Sequence, residues 1–298
     1  KQSGFGPQAG FVNAVLRGCL REFDATKQVL AELQTTQPHL GWSHPEWLWT
    51  RWRERWGLDA TARLMEWNNT PAKTYARVNT LKAEPGALLK AWREEEDVEY
   101  DFLLRDWTGE NLVFELKSHP PLAKLRSLQQ GRFYVQDPST LLAVRELDPQ
   151  PGETVLDLCA APGGKTTYIA QLMGNQGCLV ACDLSADRLK LLQENCARLG
   201  ATCVEPIQPS ALDSRPSTLF DRVLADVPCS NTGVMRRRID LRWRLRPEDI
   251  GRMSATQLEL LRRAADHVNP GGTLVYSTCS LEPEENGGVV ERFLALHA

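Results

Sequence analysis

Short apolar runs alternate with amphipathic stretches through the second half of the chain. The apolar runs predict buried strands, which cover residues 154–158, 178–182, 203–207, 221–226 and 273–278. Apolar residues at helical spacing predict helices over residues 164–173, 186–199 and 247–268. Because continuous apolar strands separated by helices form parallel sheets that are covered on both faces, the pattern predicts an α/β fold with a doubly wound, mostly parallel sheet.

The first half of the chain has a different pattern. Within residues 10–34, apolar residues at helical spacing predict a helix, and these residues are Phe11, Val12, Val15, Leu16, Leu20 and Phe23. Residues 43–56 predict a second helix, with Ser43 as its N-cap and a stripe of Trp47, Leu48, Trp52 and Trp56. We interpret that stripe as core packing rather than as a platform on which bases stack. From residue 83 to residue 130, helices and alternating segments predict a small α+β module.

Composition and charge exclude several classes of protein. The 298 residues include 35 basic and 38 acidic ones, and the formal charge of −3 excludes a globally basic nucleic-acid-binding chain but not a local basic patch. No apolar run approaches the ~20 residues of a membrane span, and no signal peptide opens the chain. The eight cysteines form no C-x-x-C pair, which disfavours a metal site and fits a reducing compartment. We therefore expect a cytoplasmic protein without membrane attachment.

A glycine-containing turn follows the first strand of the predicted sheet. The stretch "VLDLCAAPGGKTTYIA" lacks the Walker pattern, because Cys159 stands where that pattern requires glycine, and it lacks the G-x-G-x-x-G fingerprint. Its small residues let a ligand approach the backbone closely. Asp183 ends the next strand, where an acid commonly accepts hydrogen bonds from ribose hydroxyls. A small-residue turn and a ribose-binding acid without a phosphate fingerprint predict a nucleoside cofactor, S-adenosyl-L-methionine.

Two cysteines follow the last two predicted strands. Cys229 lies in "ADVPCSNTG", directly after Asp226 and its strand, and Cys279 lies in "YSTCS". Because the carboxyl ends of parallel strands share one edge of a sheet, we expect these side chains at the ligand-binding edge. A thiolate that adds to C6 of cytosine makes C5 nucleophilic enough to accept a methyl group. The residues alone leave open which thiol attacks, and simple packing is the common role of a buried cysteine.

Several motifs resemble one enzyme family. The stretches "RVNT", "YVQDPST", "DLCAAPGGKTT", "ADVPCSNTGV" and "YSTCSLEPEEN" are together similar to the Nop/Sun family of RNA cytosine-C5 methyltransferases. "GFVNAVLR" and "SHPEWL" extend the resemblance to its bacterial Fmu/Sun type, which acts on 16S ribosomal RNA. The resemblance implies the C-terminal remnant of a NusB-like RNA-binding helical domain over residues 1–35, and a helical linker with a small α+β RNA-binding module over residues 36–135. It implies the S-adenosyl-L-methionine-dependent catalytic domain over residues 136–298, continued by further strands beyond residue 298.

The resemblance also implies a role for each matched residue. Cys279 would be the nucleophile that adds to C6, and Cys229 would assist release of the product, the reverse of what DNA cytosine methyltransferases suggest. Asp226 would contact N3 and N4 of the flipped cytosine, and Lys165 would reach the base or the cofactor. The cofactor site would comprise Cys159, Ala160, Ala161, Pro162, Gly163, Gly164, Lys165, Asp183, Arg188, Ser210 and Asp226.

Ser210 is a departure from the family pattern. Family members usually carry an acid after the third strand, where it meets the adenine amino group, whereas this chain has Ser210 in "IQPSALD". Because a hydroxyl accepts a hydrogen bond more weakly than a carboxylate, we expect weaker cofactor binding or a substitute contact from Asp213.

An arginine-rich segment follows the Cys229 loop in the sequence. The stretch "RRRIDLRWRLR" covers residues 236–246 and contains one acid, Asp240. Such a density of positive charge predicts a phosphate-binding surface beside the active site, with a solvated loop as the alternative. The expected RNA-binding residues are Arg236, Arg237, Arg238, Arg242, Trp243 and Arg244, with the tryptophan stacking on a base.

The sequence thus predicts a monomeric methyltransferase that makes 5-methylcytosine in small-subunit ribosomal RNA during rRNA processing, before the subunit is fully assembled. One alternative is the same chemistry on transfer RNA, which the NusB-like segment disfavours. The other alternative is a non-catalytic ribosome assembly factor that keeps the cofactor fold and binds RNA. The presence of both cysteines, Asp226 and Lys165 disfavours this second alternative, whereas Ser210 leaves it open.

Overall fold

The computed structural model describes residues 6–214 and 218–297. The chain divides into two compact units, one drawn from Lys1–Pro71 and Val234–Pro247 and the other from Ala72–Gly233 and Glu248–Ala298. Residues 1–5, at the start of the predicted helical segment 1–35, and residue 298 lie outside the described residues.

The first unit is helical in its described part. Its helices are α1 (Gly6–Arg21), α2 (Phe23–Thr36), α3 (Pro38–Gly41), α4 (Glu46–Trp56) and α5 (Leu58–Asn69), with a later short helix at Leu241–Arg244 that is α12 in chain order. Helices α1 and α2 cover the segment predicted to be helical within residues 10–34. Its apolar residues are all exposed, and these are Phe11, Val12, Val15, Leu16, Leu20 and Phe23. Helical spacing reveals an apolar face but not what covers it, and the origin of this segment in a NusB-like domain stays a prediction.

The buried stripe of α4 differs from the one that the sequence predicts. Leu48 and Trp52 are buried as predicted, whereas Trp47 is only partly buried and Trp56 is 37% exposed. Trp49, outside the predicted stripe, is buried. The N-cap prediction is also wrong: Ser43 adopts a left-handed conformation with φ of 54°, and Pro45 is the N-cap. The carbonyl of Pro45 accepts the first helical hydrogen bonds, and its fixed backbone is suited to a helix start.

The second unit begins with the predicted small α+β module. Its elements are β1 (Thr74–Val78), α6 (Pro85–Glu94), β2 (Glu99–Phe102), β3 (Val113–Ser118), α7 (Arg126–Gln129) and β4 (Phe133–Val135). The four strands form an antiparallel sheet in the order β2-β3-β1-β4. Trp92 on α6 is fully buried against Phe114 and Phe133, so one face of this sheet is covered by α6.

The rest of the second unit is the predicted parallel sheet with its helices. Its elements are α8 (Leu141–Leu147), β5 (Thr154–Asp157), α9 (Gly164–Leu172), β6 (Cys178–Cys182), α10 (Ala186–Leu199), β7 (Val204–Ile207), α11 (Pro209–Asp213), β8 (Phe220–Asp226), α13 (Pro247–Ala265), β9 (Val268–Ser277) and α14 (Gly287–Leu296). The strand order is β7-β6-β5-β8-β9, and all pairs are parallel. This arrangement confirms the doubly wound α/β fold.

Strand β9 is longer than the sequence predicts. Pro270, Gly271 and Gly272 argue against a strand over residues 268–272, yet β9 begins at Val268. The strand lies at the edge of the sheet, and its pairing with β8 is irregular between Phe220 and Arg222. Edge strands tolerate proline and glycine because one side of their backbone needs no partner strand.

The strand order locates the candidate site. The chain winds outward from β5 through β6 and β7, then returns to pair β8 with the other side of β5. Ligands of doubly wound sheets bind at the carboxyl ends of the strands beside this reversal. The turn after β5 and the loop after β8 therefore face the same crevice.

Within the described part of the chain, none of the helices combines the length and apolar character needed to cross a bilayer.

Candidate active site

The turn after β5 joins the strand to α9 through small residues. Ala160 and Ala161 are buried, and Pro162 is exposed. Gly163 adopts φ of 103°, which side chains with a Cβ rarely adopt, and it is the N-cap of α9. The Ala160 N–H donates to the Cys182 carbonyl at 2.9 Å, so the turn is fixed to the neighbouring strand β6. This geometry places the predicted cofactor wall, residues 159–165, at the carboxyl edge of the sheet.

Asp183 fixes the same turn from the end of β6. Its Oδ2 atom accepts the Ala161 N–H at 3.1 Å, and its Oδ1 atom accepts the Ser185 N–H at 3.1 Å. Arg188 lies 3.4 Å from the same carboxylate and donates to the Ala161 carbonyl. The structure thus brings Asp183, Arg188 and the turn together, as the sequence predicts for the cofactor site. Asp183 is buried and half of Arg188 is exposed, so the arginine covers the carboxylate.

Asp157, at the end of β5, is a buried acid that the sequence analysis missed. Its Oδ2 atom accepts the Thr166 hydroxyl at 2.7 Å, whereas Oδ1 has no hydrogen-bond partner. Burial raises the pKa of this carboxyl to about 7, because the low-dielectric interior disfavours the charged form. Burial likewise raises the pKa of Cys159 to about 12, so its thiol keeps its proton and contributes shape to the wall rather than reactivity.

Lys165 and Asp226 form an ion pair across the crevice. Lys165 Nζ, on the first turn of α9, donates to Asp226 Oδ2 at 2.7 Å, and the Ser277 hydroxyl donates to Oδ1 at 2.7 Å. Both charged side chains are partly exposed, at 17% for Lys165 and 30% for Asp226. The residues that hold the Asp226 carboxylate thus come from the neighbouring elements. Lys165 follows β5 on α9, and Ser277 ends β9 beside Asp226 at the end of β8.

The two thiols meet at the ends of β8 and β9. The Sγ atoms of Cys229 and Cys279 lie 3.2 Å apart, in hydrogen-bond contact. Cys279 is exposed, whereas Cys229 is buried beneath it. The Cys279 thiol also donates to Asn231 Oδ1 at 3.1 Å. Their contact differentiates the pair, because one sulfur accepts the hydrogen bond that the other donates.

The pKa values of the two thiols move in opposite directions. The pKa of Cys279 is lowered, chiefly by the hydrogen bond from Cys229. Burial and the negative charge of Asp226 oppose this shift, and the positive charge of Lys165 adds to it. The pKa of Cys229 is raised, chiefly by the same hydrogen bond and then by burial. The proton therefore stays on Cys229 while Cys279 is the better thiolate. Accessibility and acidity both favour Cys279 as the nucleophile.

Sequence reasoning also missed the residues that support the thiol loops. Asn231 contacts Cys279 from the Cys229 loop, and Glu285 accepts hydrogen bonds from Ser230 and Ser280. The signal was present in "CSN" and "EPEEN", but polar residues beside a motif do not reveal which of them point inward.

Ser210 and Asp213 lie on α11, after β7. Ser210 is exposed, as a cofactor contact would be. Asp213 accepts a hydrogen bond from Arg263 on α13, so its charge is already paired. Asp213 is exposed as well, so exposure alone does not distinguish the two side chains.

The arginine-rich segment belongs to the first unit, and its arginines differ in environment. Arg238, Trp243 and Arg244 are exposed, and Arg244 pairs with Asp240 at 3.2 Å. Arg237 is also exposed. These side chains are accessible to solvent, as the prediction of an RNA-binding surface requires.

Two other arginines of the segment fasten it to α5. Arg242 is 1% exposed and donates to Asn69 Oδ1 at 2.6 Å and to the Asn68 carbonyl. The expectation that Arg242 contacts RNA is therefore corrected, because a buried guanidinium bound to protein acceptors has no access to a phosphate. Arg236 donates to the Thr70 carbonyl at 3.1 Å and stacks over Trp67, so it too supports the segment.

The sequence matches two family models. Residues 144–298 match the model described as 16S rRNA methyltransferase RsmB/F, and residues 44–100 match the RsmF/B-like ferredoxin-like domain. The first match covers the parallel sheet and every predicted catalytic residue.

Three known proteins are similar over most of the chain. The "Probable ribosomal RNA small subunit methyltransferase B" of Bacillus subtilis is 39% identical over 97% of this chain. The "Ribosomal RNA small subunit methyltransferase B" of Cronobacter sakazakii is 36% identical over 96% of it. The chain spans 64% of the length of each relative. A solved methyltransferase homolog from Pyrococcus horikoshii is 33% identical with a TM-score of 0.74, covering 86% of this chain and 80% of that one.

Proposed function

This chain belongs to the 16S rRNA methyltransferase RsmB/F family, and we propose that it methylates C5 of a cytosine in small-subunit ribosomal RNA. The methyl donor is S-adenosyl-L-methionine, and the reaction passes through a covalent bond between Cys279 and C6 of the base. The single observation that carries the proposal is the thiol pair, in which an exposed, more acidic Cys279 lies 3.2 Å from a buried Cys229.

The residues at the edge of the sheet fit the cofactor by their chemistry. Asp183 Oδ1 accepts one backbone N–H and retains a lone pair for a ribose hydroxyl. A ribose that binds there would replace Arg188, whose guanidinium covers the carboxylate. The turn at residues 160–164 offers a close approach to the backbone, and Ser210 offers a hydroxyl to the adenine. The cofactor supplies an electrophilic methyl group, which the protein must hold opposite C5.

The protein contributes a nucleophile, a polar anchor and a second thiol. The Cys279 thiolate forms a bond to C6, and the electron pair of the C5–C6 double bond moves to C5, which takes the methyl group. Asp226, held by Lys165 and Ser277, accepts a hydrogen bond from N4 or from protonated N3 of the base. Solvent then takes the C5 proton, the electron pair of that C–H bond restores the C5–C6 double bond, and the Cys279 sulfur leaves C6 as a thiolate. Cys229, protonated and 3.2 Å away, assists this release by donating a hydrogen bond to the leaving sulfur.

The partner is proposed to be ribosomal RNA, with the target base extruded from its stack, because C5 and C6 are inaccessible within a helix. Arg237, Arg238, Trp243 and Arg244 supply positive charge and a stacking surface. We assign RNA binding to residues 1–35 and 36–135 and catalysis to residues 136–298. We further propose a cytoplasmic monomer that acts before the small subunit is complete.

The proposal is tested by incubating the protein with labelled S-adenosyl-L-methionine and either small-subunit ribosomal RNA or transfer RNA. Label recovered as 5-methylcytidine from ribosomal RNA is the expected result, and bisulfite mapping then gives the position. Label recovered from transfer RNA alone would reassign the substrate. Tight binding of ribosomal RNA without label in any RNA would favour an assembly factor and overturn the enzymatic proposal.

A further inference from the structure

A single buried carboxylate, that of Glu285, receives hydrogen bonds from both thiol loops. Glu285 lies in the turn between β9 and α14 and has no exposed surface. Its Oε1 atom accepts the Ser230 N–H at 2.8 Å and the Gln257 amide at 2.9 Å. Its Oε2 atom accepts the hydroxyls of Ser230 and Ser280. Ser230 follows Cys229 and Ser280 follows Cys279, so the carboxylate joins the residues next to the two sulfurs.

The contacts around Glu285 extend to both sides of Cys229. Gln257, buried on α13, donates to the Pro228 carbonyl at 2.9 Å as well as to Glu285, so the residue before Cys229 is held too. On the opposite side of the carboxylate, the Ser280 hydroxyl accepts the Glu282 N–H at 3.0 Å. The carboxylate is thus a fixed point between two loops that are fifty residues apart in the sequence.

The number of donors matches an ionised carboxylate. Two oxygens with about four lone pairs accept four N–H or O–H donors, and none of these donors carries a formal charge. Such charge-assisted hydrogen bonds are about twice as strong as neutral ones. A glutamine in this place would offer one accepting oxygen and an NH₂ group. The oxygen can serve the Ser230 N–H and Gln257, while the two hydroxyls rotate to accept from the NH₂ group.

We propose that Glu285 is a positioning residue for both thiols, which sets the short distance between Cys229 and Cys279 and the aim of Cys279 toward the base. It touches neither sulfur and acts through Ser230 and Ser280. The inference rests on the proposed function for its catalytic meaning, but the positioning itself is measurable without any methyl transfer.

The test compares Glu285→Ala and Glu285→Gln with Glu291→Ala, which removes an exposed carboxylate from α14. The folded proteins are treated with diamide, which takes two electrons and two protons from a pair of thiols and leaves a disulfide and a hydrazine. Mass spectrometry follows the peptide that links Cys229 to Cys279. Closure, meaning formation of the disulfide between Cys229 and Cys279, is expected to slow about 10- to 100-fold in Glu285→Ala. It is expected to slow by less in Glu285→Gln and not at all in Glu291→Ala.

Methyl transfer gives the second measurement on the same variants. Glu285→Ala is expected to lose kcat by a similar factor with little change in KM for RNA, because the RNA-binding side chains are intact. Wild-type rates of closure and methyl transfer in folded Glu285→Ala would overturn the inference. If that variant does not fold, the same rates in Ser280→Ala, which lacks the hydroxyl that joins the Cys279 loop to Glu285, would overturn it. Closure that depends on Glu285 in a protein without methyl transfer would overturn the proposed function and keep the positioning.

Discussion

The sulfur of Cys279 is exposed at the edge of the sheet, and the sulfur of Cys229 lies 3.2 Å beneath it. In the proposed mechanism, a substrate base would therefore reach Cys279 first, and Cys229 would stay within reach of the bond that Cys279 forms. The same short contact lowers the pKa of Cys279 and raises that of Cys229, since one thiol donates to the other. Position and acidity thus support the different roles proposed for two chemically identical side chains.

The division of roles predicts opposite phenotypes for the two alanine variants. Cys279→Ala is expected to abolish methyl transfer and form no covalent RNA complex, because the nucleophile is missing. Cys229→Ala is expected to accumulate a complex with RNA that survives a denaturing gel, because release is impaired. Labelled RNA and gel electrophoresis measure both outcomes. A trapped complex in Cys279→Ala instead would reverse the assignment of the thiols.

The acidity of Cys279 predicts how its alkylation depends on pH. Only the thiolate reacts with iodoacetamide, so the rate rises with pH through the pKa of the thiol. Cys279 is expected to show a midpoint below that of an ordinary thiol, and Cys229→Ala is expected to move this midpoint upward by removing the hydrogen bond. Peptide mass spectrometry resolves the sites, and Cys203, whose pKa is raised by burial, is an internal reference. An unchanged midpoint in Cys229→Ala would refute the coupling.

The strand pattern was sufficient to predict the doubly wound sheet and the edge at which both cysteines lie. Continuous apolar runs identify buried parallel strands, and the carboxyl-end rule then places Cys229, Cys279 and Asp183 without coordinates. The pattern could not predict Glu285, because a glutamate in "EPEEN" has the composition of a solvated turn. Its burial depends on donors from Ser230 and Gln257, which are distant in the sequence, and on the nearby Ser280.

The arginine-rich segment is a second case in which the sequence does not reveal which charged side chains are buried. Its density of positive charge predicts a phosphate-binding surface, but charge alone does not separate exposed arginines from structural ones. Arg242 is buried because Asn68 and Asn69 at the end of α5 supply acceptors for it. Burial of the imidazole lowers the pKa of His44 to about 4, and the positive charge of Arg242 adds to this effect.

These environments predict different effects for substitutions within the arginine-rich segment. Replacing Arg238 and Arg244 with glutamine is expected to weaken RNA binding and to reduce the slope of log affinity against log salt by about 0.7 to 0.9 per lost phosphate contact. Folding should be preserved, since both side chains are exposed. Binding titrations at several salt concentrations measure the slope, and an unchanged slope would remove these residues from the RNA surface.

Arg242→Gln is the structural counterpart of that double variant. It removes donors from the buried contacts with Asn68 and Asn69, so we expect the free energy of unfolding to fall by about 1 to 3 kcal/mol. Urea denaturation measures the loss, and the salt slope of RNA binding should keep its wild-type value in the folded protein. A reduced slope without loss of stability would show that Arg242 contacts RNA after all.

The proposed contact between Asp183 and the ribose predicts how much this residue contributes to the affinity for S-adenosyl-L-methionine. Asp183→Asn leaves one accepting oxygen where two oxygens now accept the N–H groups of Ala161 and Ser185. Loss of a hydrogen bond to a charged acceptor costs about 1.5 to 3 kcal/mol, so S-adenosyl-L-methionine is expected to bind about 10- to 100-fold more weakly. Calorimetric titration measures the affinity. Asp187→Asn, on the exposed start of α10, is the matched control, and equal affinities for the two variants would exclude Asp183 from the cofactor site.

The raised pKa of Asp157 predicts a pH dependence of stability with a definite sign. The folded-state pKa of about 7 lies above the unfolded value of 3.8, so the folded protein binds this proton more tightly. The contribution to stability is complete below pH 3.8 and is lost as the pH rises through 7. Asp157→Asn has no such proton, and asparagine can still accept the Thr166 hydroxyl. Between pH 5 and pH 8, wild-type protein is therefore expected to lose about 2 to 3 kcal/mol relative to the variant.

Urea denaturation of both proteins at the two pH values measures this difference, and Asp221→Asn supplies a contrast of opposite sign. Hydrogen bonds from the Thr154 backbone, the Thr154 hydroxyl and Asn269 lower the pKa of Asp221. Its contribution is present above its unfolded value and is lost only as the pH falls below that range, so between pH 5 and pH 8 Asp221→Asn should run parallel to wild type. If Asp157→Asn also ran parallel to wild type, the buried carboxyl would be ionised throughout, and some group at the edge of the sheet would have to stabilise its charge.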